Sequence, residues 1–194
     1  MENVSRNFYI SDTHFGHDNI RKLSHRPFKS VEEMDRVLIE NWNNAVTERD
    51  VVYILGDFSY KSAKPAKEYL DRLNGRKVLI LGNHDNEIRN KLVNGKFPGI
   101  MQVTEYLEIY ETVDGEQKKL VLSHYPFVEW NGYFNGAIHL YGHIHNATRN
   151  KAYQIMKDVP NAYNVGVDVL GFAPRTLQGV IEQNIRFNRE YERS

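Results

Sequence analysis

The chain has 194 residues, of which 41% are hydrophobic and 26% charged, as in an ordinary globular protein. Lysine plus arginine and aspartate plus glutamate balance at 25 each, so no overall basic field favours a sequence-independent polynucleotide binder, although a local basic patch is compatible with this total. Cysteine is absent, which excludes a disulfide framework and a thiolate metal site. No signal-peptide core or membrane span is found, so we expect a cytoplasmic protein with a single domain, residues 1–194.

In the first half of the chain, short β-prone runs alternate with helical patterns, which predicts an α/β fold. The clearest helix is predicted from Val31 to Ala45, where apolar residues recur every three or four positions. Ser30 followed by Glu33 is a capping box at its start. A second helix is predicted from about Pro65 to Leu73, and a short third helix directly after Asp85.

The second half of the chain begins with a hairpin pattern. Met101 to Tyr110 and Lys118 to Ser123 are predicted as strands around a turn at Asp114-Gly115. A hairpin that follows helix crossovers indicates two sheets with both parallel and antiparallel strands. The last amphipathic segment, Thr176 to Phe187, is predicted as a helix that closes the outer layer.

Five short polar clusters each follow an apolar, β-prone run, where a predicted strand ends, and together they hold five of the eight histidines. Carboxylate, amide and imidazole donors suit divalent transition metals. Seven such donors at one rim of a sheet are too many for one ion and indicate two ions that share a carboxylate, an arrangement that activates water. The clusters are Asp12-Thr13-His14, Gly56-Asp57, Gly82-Asn83-His84-Asp85, Ser123-His124 and Gly142-His143-Ile144-His145.

Individual residues support this interpretation. Asp12 and His14 are two positions apart, so on a strand they project to the same side and can bind one ion; the alternative is a turn-capping aspartate beside a surface histidine. Asp57 is the natural shared ligand, because a carboxylate can bridge two cations and an imidazole cannot; the alternative is a helix or turn cap. Gly56 lets the backbone pass close to an ion. The neutral amide of Asn83 is an unusual ligand that leaves an ion a stronger Lewis acid.

In this order, the patterns D-x-H, G-D, G-N-H-D, S-H and G-H-I-H resemble those of the calcineurin-like metallophosphoesterase superfamily. The opening Asp12-Thr13-His14-Phe15-Gly16-His17 and the later Asn164-Val165-Gly166-Val167-Asp168 are similar to its small single-domain bacterial and phage members. The resemblance runs from about Phe8 to about Asp168. It implies a four-layer α/β/β/α sandwich with two mixed sheets and a metal site at the C-terminal ends of strands. It also implies two sets of metal ligands. The first consists of Asp12, His14 and His145, and the second of Asp57, Asn83, His124 and His143.

The resemblance implies further roles at the site. His84 is expected to face the scissile phosphate without binding metal, where it stabilises the transition state or protonates the leaving oxygen. Asp85 is expected to orient the His84 ring, the alternative for this pair being a helix N-terminus with a capping acid. His17 is expected either to reach the substrate or to lie on the surface. Arg26 is expected either to meet phosphate or to remain a solvated charge.

The expected activity is metal-dependent hydrolysis of small phosphate esters by a hydroxide that bridges the two ions, which are manganese, iron, zinc, nickel or cobalt. Phosphodiesters or nucleotide-type substrates are slightly favoured, because the chain has little room for a large cap. The alternatives are a phosphomonoesterase or nuclease of the same fold and a catalytically silent metal-binding scaffold. Extended nucleic acid and membranes are not expected partners, and the oligomeric state is not indicated.

Two segments are predicted as loops over the site, Tyr125 to Gly136 and Asn146 to Asn161. The first is rich in aromatic residues, which are expected to pack mainly in the core, with one or two left to stack on a substrate.

Overall fold

The computed structural model describes residues 5–113 and 115–192, which form two four-stranded sheets flanked by helices. The first sheet is parallel and has the order β1 (Asn7–Ile10), β2 (Val51–Ile54), β3 (Arg76–Ile80) and β4 (Gln102–Thr104). The second has the order β5 (Tyr106–Val113), β6 (Glu116–Ser123), β7 (Ile138–Tyr141) and β8 (Ala162–Asn164). In the second sheet β5 pairs antiparallel with β6, and the other two pairings are parallel.

Seven α-helices lie between and around the strands of the described residues. They are α1 (Asp18–Leu23), α2 (Val31–Ala45), α3 (Ala66–Leu70), α4 (Asn86–Asn90), α5 (Lys151–Met156), α6 (Val167–Leu170) and α7 (Leu177–Glu192). At the start of α2 the Ser30 hydroxyl accepts a hydrogen bond from the Glu33 backbone N–H at 3.2 Å, as the capping pattern predicts. No helix in the described part of the chain is long and apolar enough to cross a membrane.

The hydrophobic core has two main parts, one on each side of the first sheet. On one side the apolar face of α2, including Met34, Leu38 and Trp42, packs on residues of β1, β2 and β3. On the other side the first sheet packs against the second, with Leu120 and Leu140 among the buried residues. The helices and both sheets therefore form the predicted layered α/β sandwich, which confirms the fold class.

Several details differ from the sequence-based predictions. Two mixed sheets were predicted, but only the second is mixed: the strands of the first all pair parallel, and the antiparallel pairing of named strands is confined to β5 and β6. An isolated antiparallel bridge joins Tyr9 to Arg175 beside the first sheet. The segment Asn146 to Asn161 is not wholly a loop, because it contains α5. The segment Tyr125 to Gly136 is a loop with a single 3₁₀ turn at Tyr133–Asn135.

Two further predicted elements are the last helix and the hairpin turn. Helix α7 contributes Leu177 and Val180 to the core between the sheets, so it does more than cover the outer layer. In the predicted hairpin turn, Asp114 lies outside the described residues, while β5 and β6 pair on either side of it from Tyr106↔Ser123 to Val113↔Glu116.

Strand direction places the polar clusters at one edge of the molecule. Because β1, β2 and β3 are parallel, their C-terminal ends lie at the same edge of the first sheet, and β6 and β7 end together in the second. Each of the five polar clusters begins at the last residue of one of these five strands or within two residues of it. The fold therefore gathers side chains that are far apart along the chain.

Candidate metal centre

The polar clusters leave their strands with an unusual backbone conformation. Five of the seven predicted ligands have a positive φ angle between 50° and 70°, a region that costs about 1–3 kcal/mol for residues other than glycine. Such strain persists only where the surrounding structure holds it in place. Here it directs each of these side chains towards one shared space at the edge of the sheets. The five residues are Asp12, His14, Asp57, His143 and His145.

Asp57 lies between two of the predicted histidine ligands. Its Oδ2 atom is 3.5 Å from His14 Nε2 and 3.6 Å from His124 Nε2, and its Oδ1 accepts a hydrogen bond from the His84 backbone N–H at 2.8 Å. His14 and Asp57 are each only 2% exposed. This nearly equal spacing of one carboxylate oxygen between two rings is the arrangement expected of a shared ligand.

His124 is held in one orientation by the backbone. Its Nδ1 lies 2.8 Å from the Leu55 carbonyl oxygen, which can only accept, so the neutral ring carries its proton on Nδ1. The Nε2 lone pair then faces the Asn83 Oδ1 atom at 3.0 Å. Two acceptors that face each other, with the Asp57 carboxylate beside them, are the donor set that a cation would hold together.

Asp12 and His145 form the other side of the site. The Asp12 carboxylate is fully buried, accepts hydrogen bonds from the Ser11 hydroxyl at 2.5 Å and the His143 backbone N–H at 3.0 Å, and lies 3.8 Å from His145 Nε2. His145 Nδ1 is 2.9 Å from Asp168 Oδ2. A carboxylate on Nδ1 leaves Nε2 directed at Asp12, as in carboxylate–histidine–metal arrangements.

Two overlapping groups of side chains can each hold a metal ion. Asp12, His14 and His145 form one, Asp12, Asp57 and His124 form the other, and within each group the ligand atoms lie within 4.8 Å of one another. The residue common to the two groups is Asp12, whereas the predicted shared ligand, Asp57, belongs to the second group and approaches the first through its Oδ2 atom, 3.5 Å from His14 Nε2. Asn83 and His143 adjoin the second group, since the His143 ring centroid is 5.1 Å from that of His124.

The chemistry of this donor set fits metal ions. Both ring nitrogens of His14 are buried without a hydrogen-bond partner among the described residues, which is costly for a polar ring unless a lone pair binds something. In the described chain no lysine or arginine side chain pairs with the carboxylates of Asp12 or Asp57. Buried carboxylates without a cationic partner favour bound cations.

The pKa values of the site agree with a need for cations. Burial raises the pKa of the Asp57 carboxyl to about 7, with the field of Asp12 adding to the effect and that of His124 opposing it. Burial, followed by the fields of His145 and Arg26, holds the pKa of the His14 ring well below its usual range, so the ring is neutral and able to donate a lone pair. Burial alone would lower the pKa of His145, but Asp12 and Asp168 outweigh it and raise that pKa.

His84 lies beside the proposed ligands, but Asp85, which was expected to orient its ring, is hydrogen-bonded elsewhere. The Asp85 carboxylate does not bond to the His84 ring; it accepts three backbone N–H groups, from Asp57 at 2.8 Å, Phe58 at 2.9 Å and Gly82 at 2.8 Å. The prediction that Asp85 orients His84 is therefore wrong, because its acceptor atoms are used to tie two strand ends together.

The ring that packs on His84 is that of Tyr60, at a centroid distance of 4.0 Å. His84 is half-buried, and its ring centroid is 5.5 Å from that of His14. Tyr60 was not among the predicted site residues, since a tyrosine three residues beyond Asp57 carries no distinctive sequence signal.

Arg26 is not a phosphate contact. Its side chain has no exposed surface and pairs with both carboxylate oxygens of Asp168, at 2.8 and 3.1 Å. It also donates to the backbone carbonyls of Asp12 at 2.7 Å and Thr13 at 2.9 Å. Both expected roles, phosphate contact and solvated charge, are corrected: Arg26 is a buried brace beneath the Asp12 cluster.

Asp168 is the supporting residue that sequence reasoning missed, although it belongs to the Asn164-to-Asp168 motif noted above. It connects Arg26 to His145, and Arg26 and His145 hold its pKa below the usual range despite burial. His17 is buried beside the site, with its ring centroid 5.4 Å from that of His14. It is therefore not a surface residue.

Gly56 shows why a glycine precedes Asp57. It has φ +85°, and a Cβ atom there would lie 2.5 Å from His124 Nδ1. Glycine at this position lets the His124 ring approach the backbone. This contact is a more direct reason for glycine than the expected passage of the backbone close to an ion.

Comparisons with known proteins agree with this geometry. The profile of the family described as calcineurin-like phosphoesterase matches residues 8–179, most of the chain. The chain belongs to this family. Membership supports a hydrolase of phosphate esters that depends on metal ions, and the two groups of candidate ligands are consistent with it.

Relatives of this phosphoesterase span most of its length. It is 38% identical over 177 residues to an uncharacterized protein of Methanocaldococcus jannaschii, covering 90% of this chain and 89% of that protein. It is 31% identical over 164 residues to the Gene 66 protein of Mycobacterium phage L5, covering 74% and 79%. A protein of unknown function from Aquifex aeolicus has a similar fold, with a TM-score of 0.66 at 24% identity over 92% of this chain and 99% of that one.

Proposed function

We propose that the chain is a phosphoesterase that uses two metal ions and slightly favours phosphodiesters over phosphomonoesters as substrates. We also propose that it acts in the cytoplasm. The observation that supports the phosphoesterase proposal most is the His14 ring, buried with neither nitrogen hydrogen-bonded among the described residues and with Nε2 3.5 Å from Oδ2 of the Asp57 carboxylate. In a chain of this family, such a ring is best explained as a metal ligand.

The proposed ligands divide into two sets. Asp12, His14 and His145 would hold one ion, and Asp57, with Asn83, His124 and His143, would hold the other and contribute to both. When bound, two such ions activate water and neutralise charge on the phosphate. Manganese, iron, zinc, nickel and cobalt all suit these nitrogen and oxygen donors.

The other residues of the site would position this machinery. Asp168 keeps Nε2 of His145 directed inward through a 2.9 Å contact to Nδ1, and the Leu55 carbonyl does the same for His124 at 2.8 Å. His84 would act on the substrate, by hydrogen bonding to the phosphate or protonating the leaving oxygen.

A metal-reconstitution assay tests the proposal. The protein is stripped with a chelator, loaded with each of the five metals and assayed with p-nitrophenyl phosphate and bis(p-nitrophenyl) phosphate. We expect hydrolysis of both with at least one metal, and a higher kcat/KM for the diester. Metal binding without hydrolysis of any phosphate ester would instead support the silent scaffold, and kcat/KM tenfold higher for the monoester would reverse the substrate preference.

A further inference from the structure

Two clefts meet at His84. The larger, of about 620 Å³, lies between α1 and residues 146–149, and His14 and His145 form part of its wall. The smaller, of about 290 Å³, lies between residues 59–62 and the start of α4. His84 lines both clefts. The larger volume lies within the usual range of small-ligand sites, and the smaller lies at the lower end of that range.

Three rings form the partition between the clefts. The Tyr60 ring packs 4.0 Å from His84 and meets the His17 ring edge-on at 4.9 Å. His17 lines the larger cleft and Tyr60 the smaller, so this pair of rings separates the two clefts. His84 lines both and is therefore accessible from either side. Two groups attached to one phosphorus atom beside His84 could therefore lie on opposite sides of this partition.

The linings of the clefts suit two different organic groups. The larger has apolar residues at Ile20 and Leu23, and Leu23 is 73% exposed. The smaller is lined by hydroxyl and amide groups, with Glu87 already bonded to Lys91 at 2.8 Å. An apolar or planar group fits the former and a hydroxyl-rich group the latter.

Each cleft also has one cation that forms no ion pair with the described residues. Arg149 lines the larger cleft, and Lys61 lines the smaller, where its Nζ lies 5.2 Å from the centre of the Tyr60 ring. A substrate that carries negative charge and extends both ways from His84 would meet a positive side chain on each side.

We propose that the site takes linear phosphodiesters, whose two ester groups occupy the two clefts on either side of His84; this rests on the proposed phosphoesterase function. A monoester has one organic group and can fill only one cleft. In a cyclic diester both ester oxygens belong to one ring, which must lie on one side of the partition. Hydrolysis joins the oxygen of water to phosphorus and breaks one P–O bond, the leaving oxygen takes a proton, and the products are an alcohol and a phosphomonoester.

Two substrate pairs measure the preference of the metal-loaded protein. Bis(p-nitrophenyl) phosphate is compared with p-nitrophenyl phosphate, and the linear dinucleotide adenylyl-(3′→5′)-adenosine with 3′,5′-cyclic AMP. We expect the linear diester of each pair to have at least tenfold higher kcat/KM. Equal or reversed values would overturn the inference while leaving the phosphoesterase function in place, whereas a lack of hydrolysis of every ester would remove the function itself.

Blocking each cleft separately tests where the two groups lie. Asn86→Trp fills the smaller cleft and Ala147→Trp the larger, and both positions are exposed, so the added ring meets solvent and not the core. Asn90→Trp is the control, because Asn90 is an exposed asparagine on the same helix as Asn86 and lines neither cleft.

We expect both cleft variants to lower kcat/KM for the linear diesters at least tenfold, and only one of them to do so for the monoester and the cyclic ester. The control should match the unmodified protein. A linear diester that is sensitive to only one variant would show that one cleft suffices and refute the inference. If a tryptophan variant loses its metal content, Lys61→Gln and Arg149→Gln probe the same two clefts without added volume, and the same pattern is expected.

Discussion

Asp168→Asn should weaken the protein in two separate ways. The Asp168 carboxylate is almost fully buried, pairs with the guanidinium of Arg26 at 2.8 Å and accepts from His145 Nδ1 at 2.9 Å. Asparagine has nearly the same shape but no charge. The substitution therefore leaves a guanidinium with no exposed surface without its counter-ion, and it removes the anionic partner from a proposed metal ligand.

The magnitudes follow from burial. Removing one partner of a buried ion pair costs about 3–5 kcal/mol, because the remaining charge has no water to solvate it. For a domain of this size that corresponds to a fall in Tm of roughly 6–20 °C. Loss of a carboxylate behind a ligating histidine typically lowers metal affinity about 10–100-fold.

Urea unfolding of the chelator-treated protein measures the first effect, and manganese titration measures the second. Asp71→Asn is the matched control: its partner Lys67 is half exposed, and such surface pairs are worth about 0–1 kcal/mol. The double variant Arg26→Met/Asp168→Leu should recover only part of the stability, because both charges are gone but the buried Asp12 and Thr13 carbonyls lose their hydrogen bonds from Arg26. It should not recover metal affinity, since His145 still lacks its acceptor. A loss below about 1 kcal/mol in Asp168→Asn would refute the role assigned to this pair.

Four further outcomes are expected. Elemental analysis of the manganese-loaded protein should find about two equivalents per chain, and Asp57→Asn should weaken both sites together; one equivalent at saturation would contradict the dinuclear assignment. His84→Ala should keep its metals but lose about 10²–10⁴-fold in kcat, whereas His143→Ala should lose metal at one site, as elemental analysis alongside the assay would show. Burial raises the pKa of Asp57 from 3.8 to about 7 in the metal-free protein, so the folded state holds this proton more tightly than the unfolded state and Tm should fall as pH rises across that window; Asp57→Asn should reduce that slope. Gly56→Ala should cost at least about 1–3 kcal/mol in urea unfolding, because φ is +85° there and the new methyl meets His124; a neutral result would mean that the loop relaxes freely.

Elements with local signals could be predicted from the sequence. Helix α2 has the predicted bounds because its capping residue and its apolar spacing lie within the segment itself. The clusters at strand ends were found for the same reason. Helix α5 was missed although Asn150 accepts a hydrogen bond from the Ala152 backbone N–H at 2.9 Å, a cap that the sequence does display.

The errors at the site have a different origin. Arg26 and Asp168 are 142 positions apart, so no local pattern could show that one neutralises the other. The resemblance assigned Asp85 to the neighbouring His84 ring, yet its oxygens accept from backbone groups 27 and 28 positions away at the end of another strand. Contacts of this kind depend on which strands are adjacent, and that is a property of the fold.

Backbone strain and buried charge at the metal centre both indicate that the site depends on contacts in the surrounding fold. Five proposed ligands have left-handed backbone conformations that each cost about 1–3 kcal/mol, and Asp12 and Asp57 are buried without a lysine or arginine partner among the described residues. A cation at a hundred times its dissociation constant stabilises the folded state by about 2.7 kcal/mol, so two ions offset about 5.4 of the roughly 5–15 kcal/mol that five such positions cost. The rest must be held by contacts beneath the ligands, among them the Arg26 hydrogen bonds to the Asp12 and Thr13 carbonyls. Arg26 therefore supports the site through the backbone, without contact to metal or substrate.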